Sequence, residues 1–445
     1  MKGSDLLVAA LENEGVEQIF GVPGEENLDV VESLRRSRIK LIVTRHEQAA
    51  AFMAATHGRL TGKPGVCLAT LGPGALNLTT GAAFALLGAM PMVMITGQKG
   101  ILSHKQALFQ VVDIVSTMAP LTKMARQIVS AATIPSIVRE AFRLAQQERL
   151  GPVHLELPED IAHEMAPDVP LVMPHPIEMP VAQDAALDRA ADLILRAERP
   201  LVMLGAAASR PKLADALSQF VRRLRIPFFN TQMGKGAVAG GSNLYMGTAA
   251  LSERDYVHQA IDRADLIIAI GHDTVEKPPF IMGPKGPKVL HVSYLPATVE
   301  EVYFPHAEVV GDVGPSLMLL ADRLEGKLKN AGALRHSSPP HRAGRREPLS
   351  AHPAAYRARR AACGAGRRHR LSRQRHVQDL VRPQLSHAGG EHSPARQRAG
   401  HDGRGPAGGH YGRAAPSAKT GARGLRRRRL HDECAGAGNS SALAA

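Results

Sequence analysis

Between Lys40 and Leu78 the chain reads KLIVTRHEQAAAFMAATHGRLTGKPGVCLATLGPGALNL, and no other stretch constrains the fold as tightly. Leu41 to Thr44 and Val66 to Thr70 are short, largely apolar runs of strand length. Between them a helical segment opens at His46-Glu47 and ends at the turn Gly62-Lys63-Pro64-Gly65. Apolar strands separated by a helix predict parallel strands buried on both faces, because parallel pairing needs a crossover and the crossover covers the sheet. The second run enters Gly72-Pro73-Gly74, a tight loop leading into another helix, with Asn77 in the turn just after it. Glu47 and this loop both fall just beyond carboxyl ends of strands, where open α/β sheets bind their ligands. Glycines at such a place let backbone approach a ligand closely.

Taken one at a time these signals are weak. A glutamate in the first turn of a helix usually does no more than complement the helix dipole. Several motifs occur in a fixed order along the chain: GVPG at Gly21 to Gly24, RHEQAAAFMA at Arg45 to Ala54, GPGALNLTTG at Gly72 to Gly81, PMVMITGQ at Pro91 to Gln98, Phe109-Gln110, and GPVHLELPEDI at Gly151 to Ile161. In this order they resemble thiamine-diphosphate-dependent enzymes, and within them the large-subunit group of the acetolactate synthases. The resemblance spans residues 1 to 325 or thereabouts.

That resemblance implies thiamine diphosphate as cofactor, acting as an electron sink. Glu47 matches the glutamate that bonds N1′ of the aminopyrimidine ring and relays the proton whose removal makes the cofactor nucleophilic. A dry, apolar pocket would favour that role by raising the carboxyl pKa, and Ala49, Ala50, Ala51, Phe52 and Met53 are expected to supply it. Pro23, Gly24, Gly72, Pro73, Gly74 and Asn77 fall at the family's cofactor-binding positions. Phe109 and Gln110 match its substrate positions, although Gln110 reads equally well as a surface glutamine. The reaction implied is decarboxylation of pyruvate and transfer of the two-carbon unit to a second 2-oxo acid. Another 2-oxo-acid decarboxylase or carboligase of the family, or a non-catalytic remnant, are the alternatives.

Composition divides the chain. From Arg335 onward there are 22 Arg and one Lys against six acidic residues, so this stretch alone is more basic than the whole chain at +14, and the first 334 residues are mildly acidic. The basic stretch is poor in Val, Ile and Phe and cannot bury enough apolar area to offset its chain entropy. An arginine-rich nucleic-acid arm is one reading of it. A coding sequence translated out of frame is the other. Gly424 to Cys434 (GLRRRRLHDEC) can be encoded so that a start one nucleotide later gives VCGDGGFMMN. With the same offset Gly400 to Ala407 can give ATMGAGLP, and the segment around Arg375 to Arg382 gives a third such string. In that order they resemble the family's C-terminal domain, where GDG opens the magnesium-diphosphate motif. The out-of-frame reading is therefore adopted for residues 335–445. No nucleic-acid partner is expected.

The rest of the sequence organises around this core. Leu6, Leu7, Ala10 and Leu11 mark one face of an N-terminal helix, and Val16 to Phe20 and Met92 to Thr96 read as strands. Val153 to Leu157 closes a first domain over residues 1–165. A linker with five prolines follows over 166–185, and a second α/β unit over 186–330. Strands there at Leu201 to Leu204, Ile226 to Phe229, Leu266 to Ile270 and Val289 to Val292 alternate with helices, a Rossmann-like order. Only the first glycine of a dinucleotide fingerprint stands at Gly205, which weakens an NAD(P) reading. In flavin-binding acetolactate synthases the strand matching Leu266 to Ile270 runs into an Arg-Phe-Asp-Asp-Arg type segment. Here it is Gly271-His272-Asp273-Thr274-Val275-Glu276-Lys277-Pro278-Pro279, nearer the flavin-independent branch, and this argues against FAD. His272, Asp273 and Glu276 are read as a polar loop rather than a metal site. The expected fold is thus α/β with two doubly wound parallel-sheet domains and a tail without its own core. Mg²⁺ is implied by the family, with its site missing from the in-frame sequence. Cys67, Cys363 and Cys434 give no disulfide framework, no run of about twenty apolar residues occurs, and the N-terminus has no signal-peptide core, so a cytoplasmic, non-membrane protein is expected. By resemblance it would work as a homodimer or homotetramer on small 2-oxo acids.

Overall fold

The computed structural model describes residues 1–102, 108–238, 242–249, 256–273, 275–276, 280, 282, 286–299 and 303–328. The basic stretch from Arg335 and the out-of-frame reading of it lie outside these residues, as do Thr274 and Lys277 to Pro279. Among the described residues the strands form two six-stranded, wholly parallel sheets, the architecture expected from the sequence.

The first sheet contains β1 (Gln18–Gly21), β2 (Lys40–Val43), β3 (Gly65–Ala69), β4 (Met92–Gln98), β5 (Ala125–Gln127) and β6 (Pro152–Pro158), in the order β2-β1-β3-β4-β6-β5. Helices α1 (Gly3–Asn13), α2 (Leu28–Leu34), α3 (Glu47–Thr61), α4 (Gly72–Leu76), α5 (Thr79–Leu87), α6 (Ile114–Met118), α7 (Ile134–Gln146) and α8 (Glu159–His163) accompany it. Strand residues alternate between two cores. Val66, Leu68, Val93, Ile95, Val153 and Leu155 pack with α1 and α7, while Cys67, Ala69, Met92 and Met94 face the alanines of α3 and α5. Strand order reverses between β1 and β3, and a doubly wound sheet offers its ligand crevice at such a reversal, beyond the carboxyl ends of the strands.

Small residues bring α3 close to its neighbours. Its N-cap His46 accepts from Gln48 N at 3.1 Å, and Gly62 ends it in the left-handed region at φ 74°. A Cβ on Gly81 of α5 would lie 2.2 Å from Ala51 Cβ, and one on Gly58 would lie 2.0 Å from the carbonyl oxygen of Pro91. Replacing a helix-interior glycine by alanine ordinarily adds about 1 kcal/mol. For Gly58→Ala the backbone clash should reverse the sign and lower stability by about 1–3 kcal/mol, measured by urea unfolding. A gain would show that α3 and Pro91 are not held this close.

The second sheet contains β7 (Pro200–Leu204), β8 (Phe228–Thr231), β9 (Tyr245–Ala249), β10 (Leu266–Ile270), β11 (Lys288–Ser293) and β12 (Ala307–Val310), ordered β12-β11-β10-β7-β8-β9. Its helices are α9 (Asp184–Leu195), α10 (Ala214–Leu224), α11 (Tyr256–Arg263) and α12 (Val313–Leu324). The strand expected from Ile226 begins at Phe228, because Pro227 has no N–H to give to a ladder; its carbonyl instead accepts from Val202 N. Between α8 and α9 no helix or strand is described. Among the described residues no helix is long and apolar enough to cross a membrane.

Candidate functional site

Three segments meet at the reversal point of the first sheet: the loop after β1, the start of α3 after β2, and the segment from Thr70 to Asn77 after β3. The β1 loop is held by its own polar atoms. Gly24 N donates to Asn27 Oδ1 at 2.9 Å, Asn27 Nδ2 donates to Val22 O at 3.3 Å, and Val22 N reaches Leu68 O at 3.2 Å. Gly24 has no room for a side chain, since a Cβ would stand 2.8 Å from that of Thr70. Pro23 sits exposed on the turn.

Beneath this loop lies an ion pair that sequence reasoning missed. Glu26 is buried and takes Lys99 Nζ at 2.6 Å on Oε1 and the Thr70 hydroxyl on Oε2. Burial alone would push the Glu26 carboxyl up, but the bonds from Lys99 and Thr70 outweigh it and hold the group below its usual value. Burial likewise pulls Lys99 down, and the carboxylates of Glu26, Glu159 and Glu25 more than restore it. The pair therefore stays charged, and it ties the β1 loop to the ends of β3 and β4. A lone lysine directly after the seven-residue buried strand β4 was its only signal in the sequence.

Glu47 is the first residue of α3 and is half-buried. Asn77 Nδ2 donates to its Oε2 at 2.9 Å. Among the described residues no second donor reaches Oε1, and a Cβ on Gly74 would stand 3.2 Å from that oxygen and 2.8 Å from Thr70 Cγ2. The glycine thus leaves open the space above a carboxyl oxygen already oriented through its partner. The apolar pocket expected from Ala49 to Met53 is only half present. Ala50 and Ala51 are buried, whereas Ala49 and Met53 are exposed, because five successive helical residues cannot share one face.

Gly72-Pro73-Gly74, expected as a loop, forms the first turn of α4, where a proline costs no hydrogen bond. Gly72 has φ 42°, and a Cβ there would be 2.1 Å from Gln110 O, so the Gln110 backbone lies directly against this turn. Gln98 Nε2 holds the same segment by donating to Val112 O at 3.2 Å and to Glu156 Oε1 at 3.2 Å. Glu47, Asn77, Gly74, Gly24 and Thr70 are accordingly brought together, and Gln110 joins them through its backbone. The side chains of Phe109 and Gln110 remain exposed.

Behind Gln98 the buried face of β4 and β6 carries Thr96, His154 and Glu156. His154 Nε2 lies 2.9 Å from the Thr96 hydroxyl, and burial pushes its imidazole down to about 3. His272 in the second sheet is pushed down to about 4 by burial and then by nearby His291, which is itself lowered by burial. The unfolded chain takes up protons as pH falls through about 6.5, whereas these folded imidazoles do not, so each costs about 1.4 kcal/mol of stability per pH unit on acidification toward its folded value. His154→Gln should remove about one such share from the slope of unfolding free energy between about pH 6 and 4.5. An unchanged slope would place the titrating groups elsewhere.

Two family models match this chain. Residues 1–117 match "Thiamine pyrophosphate enzyme, N-terminal TPP binding domain", and residues 187–320 match "Thiamine pyrophosphate enzyme, central domain". The chain belongs to the thiamine pyrophosphate enzymes. Among similar members of that family is a catabolic acetolactate synthase of Raoultella terrigena, 36% identical over 327 residues, or 73% of this chain and 58% of that protein. The acetolactate synthase large subunit of Parasynechococcus marenigrum is 35% identical over 336 residues, 72% and 54% of the two chains. An acetolactate synthase of Bacillus subtilis is 31% identical over 314 residues, 70% and 55%. The chain thus spans little more than half the length of the curated relatives it matches. The matched segments contain β1 to β4 of the first sheet, with the crevice at Glu47, and all six strands of the second. Among the described residues no group of three or more His, Cys, Asp or Glu is placed to hold a metal ion. Asp273, one of the trio considered for that role, is paired with Arg149 at 2.5 Å, and Glu276 is bonded to backbone.

Proposed function

We propose that this chain carries the pyrimidine-binding half of an acetolactate synthase-type carboligase, which joins two 2-oxo acids with loss of carbon dioxide. One observation carries the reading: a glutamate held by Asn77 at 2.9 Å, with its second oxygen facing a space kept clear by Gly74, at the reversal point of a sheet of this family. The donor set fits the cofactor's ring, since a carboxyl oxygen can share a proton with a ring nitrogen and three glycines let backbone approach a flat heterocycle. Thiamine diphosphate, when bound, supplies the electron sink for breaking the bond beside the keto carbon of a 2-oxo acid. Glu47 holds and exchanges the proton at Oε1, and Asn77 fixes its orientation through Oε2. Gly24, Gly72 and Gly74, with Pro23 and Pro73, shape the walls. Phe109 and Gln110 lie where substrate enters, steadied by Gly72 and Gln98.

The remaining half of the site belongs to the reading frame hidden in residues 335–445, where the string GDG would hold Mg²⁺ and the diphosphate. The arginine-rich translation in its place has no nucleic-acid role in this reading. A homodimer or larger homo-oligomer is part of this reading, and exposed Val43, Met53, Leu76 and Leu87 are the apolar residues of the first sheet's layer that it would cover. The test is to restore the frame near residues 335–348 and assay acetolactate formation from pyruvate with thiamine diphosphate and Mg²⁺. Failure of the restored protein to turn over pyruvate would reject the reaction assigned here.

A further inference from the structure

The second sheet has the 3-2-1-4-5-6 strand order of dinucleotide-binding folds, with β7 as its first strand and β10 as its fourth. Its crevice lies between them, where Gly205 follows β7 and Gly271 follows β10. The two turns are locked together. Gly205 N donates to Ile270 O at 2.9 Å and Ala207 N to Gly271 O at 3.0 Å, and a Cβ on Gly205 would stand 2.5 Å from His272 Cα. In such folds the backbone N–H groups of the first turn receive the pyrophosphate of the ligand.

Here that donor is already taken. Ala206 N gives its hydrogen bond to Glu276 Oε2 at 3.1 Å, and Glu276 Oε1 accepts from Met233 N, in the turn after β8, at 3.0 Å. Met233 is anchored in turn, because its carbonyl accepts from Arg59 Nη2 of α3 at 2.6 Å. The guanidinium groups nearby are committed as well, Arg149 to Asp273 at 2.5 Å and Arg210 to both oxygens of Glu148.

We infer that Glu276 is a built-in anion: its side chain fills the phosphate cradle of the β7–β10 crevice and closes it to FAD and other dinucleotides. Space does not account for the exclusion. A cavity of about 940 Å³ opens beside Ala206, Gly271 and Ser293, within the range that holds sizeable ligands. The occupied donors do, since a pyrophosphate at Ala206 would have to displace the Glu276 carboxylate and leave Met233 N without its partner. The carboxylate also stitches three elements together, the turns after β7, β8 and β10, a task that a bound nucleotide performs in an open crevice.

The test uses the full 445-residue chain with FAD, ADP and inorganic pyrophosphate as probes. The native chain should retain no flavin absorbance after gel filtration and show no change in melting temperature with ADP or pyrophosphate up to about 1 mM. Glu276→Ala should gain a concentration-dependent rise of about 3 °C or more with either probe, and Glu276→Gln, which keeps the size of the side chain, a smaller one. The inference is overturned if the native chain binds FAD or is raised by ADP as much as the variants are, or if neither variant responds. The flavin measurement needs no substitution and decides against the inference by itself if flavin is retained.

Discussion

Glu47→Gln, made in the protein with its reading frame restored, should fold as its parent does and form acetolactate from pyruvate at least about a hundredfold more slowly. The expected loss is large because an amide is isosteric with the carboxyl group but cannot exchange a proton at the position of Oε1. Folding should survive because Glu47 is half-buried at a helix start, and the amide carbonyl of a glutamine can still accept from Asn77. Matching circular dichroism spectra and melting temperatures would confirm that the substitution acts on chemistry. Turnover within a few-fold of the parent would remove Glu47 from the role assigned to it.

The parts of the fold that could be read from the sequence are those where one physical requirement dominates. Continuous apolar runs such as Val66–Thr70 and Leu266–Ile270 have no alternative to a doubly covered parallel sheet, and both became central strands. The strands β5, β9 and β12 escaped notice because ARQ, YMGTA and AEVV are short, mixed in polarity and lie at sheet edges, where half of the burial requirement is missing. In the site, Glu47, Asn77 and the glycines could be named because their motifs are local in sequence. The Glu26–Lys99 pair could not, since its members are separated by three strands and neither residue type marks a buried pair. Gly72-Pro73-Gly74 shows a subtler limit: the residues that suit a turn also suit the first turn of a helix, and packing against the Gln110 backbone decides between them.

The second large effect concerns the chain as written, which should form no acetolactate even with added cofactor and Mg²⁺. Glu47 and its neighbours offer a carboxyl oxygen, an amide and close-approaching backbone, a set suited to a heterocycle and not to a diphosphate. A Mg²⁺-bound diphosphate needs carboxylate and carbonyl oxygens. On the proposed out-of-frame reading of residues 335–445, the GDG string falls at Arg426 to Arg429, whose guanidinium groups are donors only. Such cations attract a diphosphate but cannot coordinate its metal, so the ring would not be kept against Glu47. The nucleotide sequence around codons 335–348 should therefore show an inserted or deleted base relative to a continuous family frame.

The most direct measurement compares acetolactate formation from pyruvate by four proteins, the 445-residue chain, its frame-restored counterpart, and Glu47→Gln of each. The account predicts turnover by the frame-restored parent alone, with the 445-residue chain indistinguishable from its own Glu47→Gln control. Acetolactate formed by the 445-residue chain above that control would contradict it.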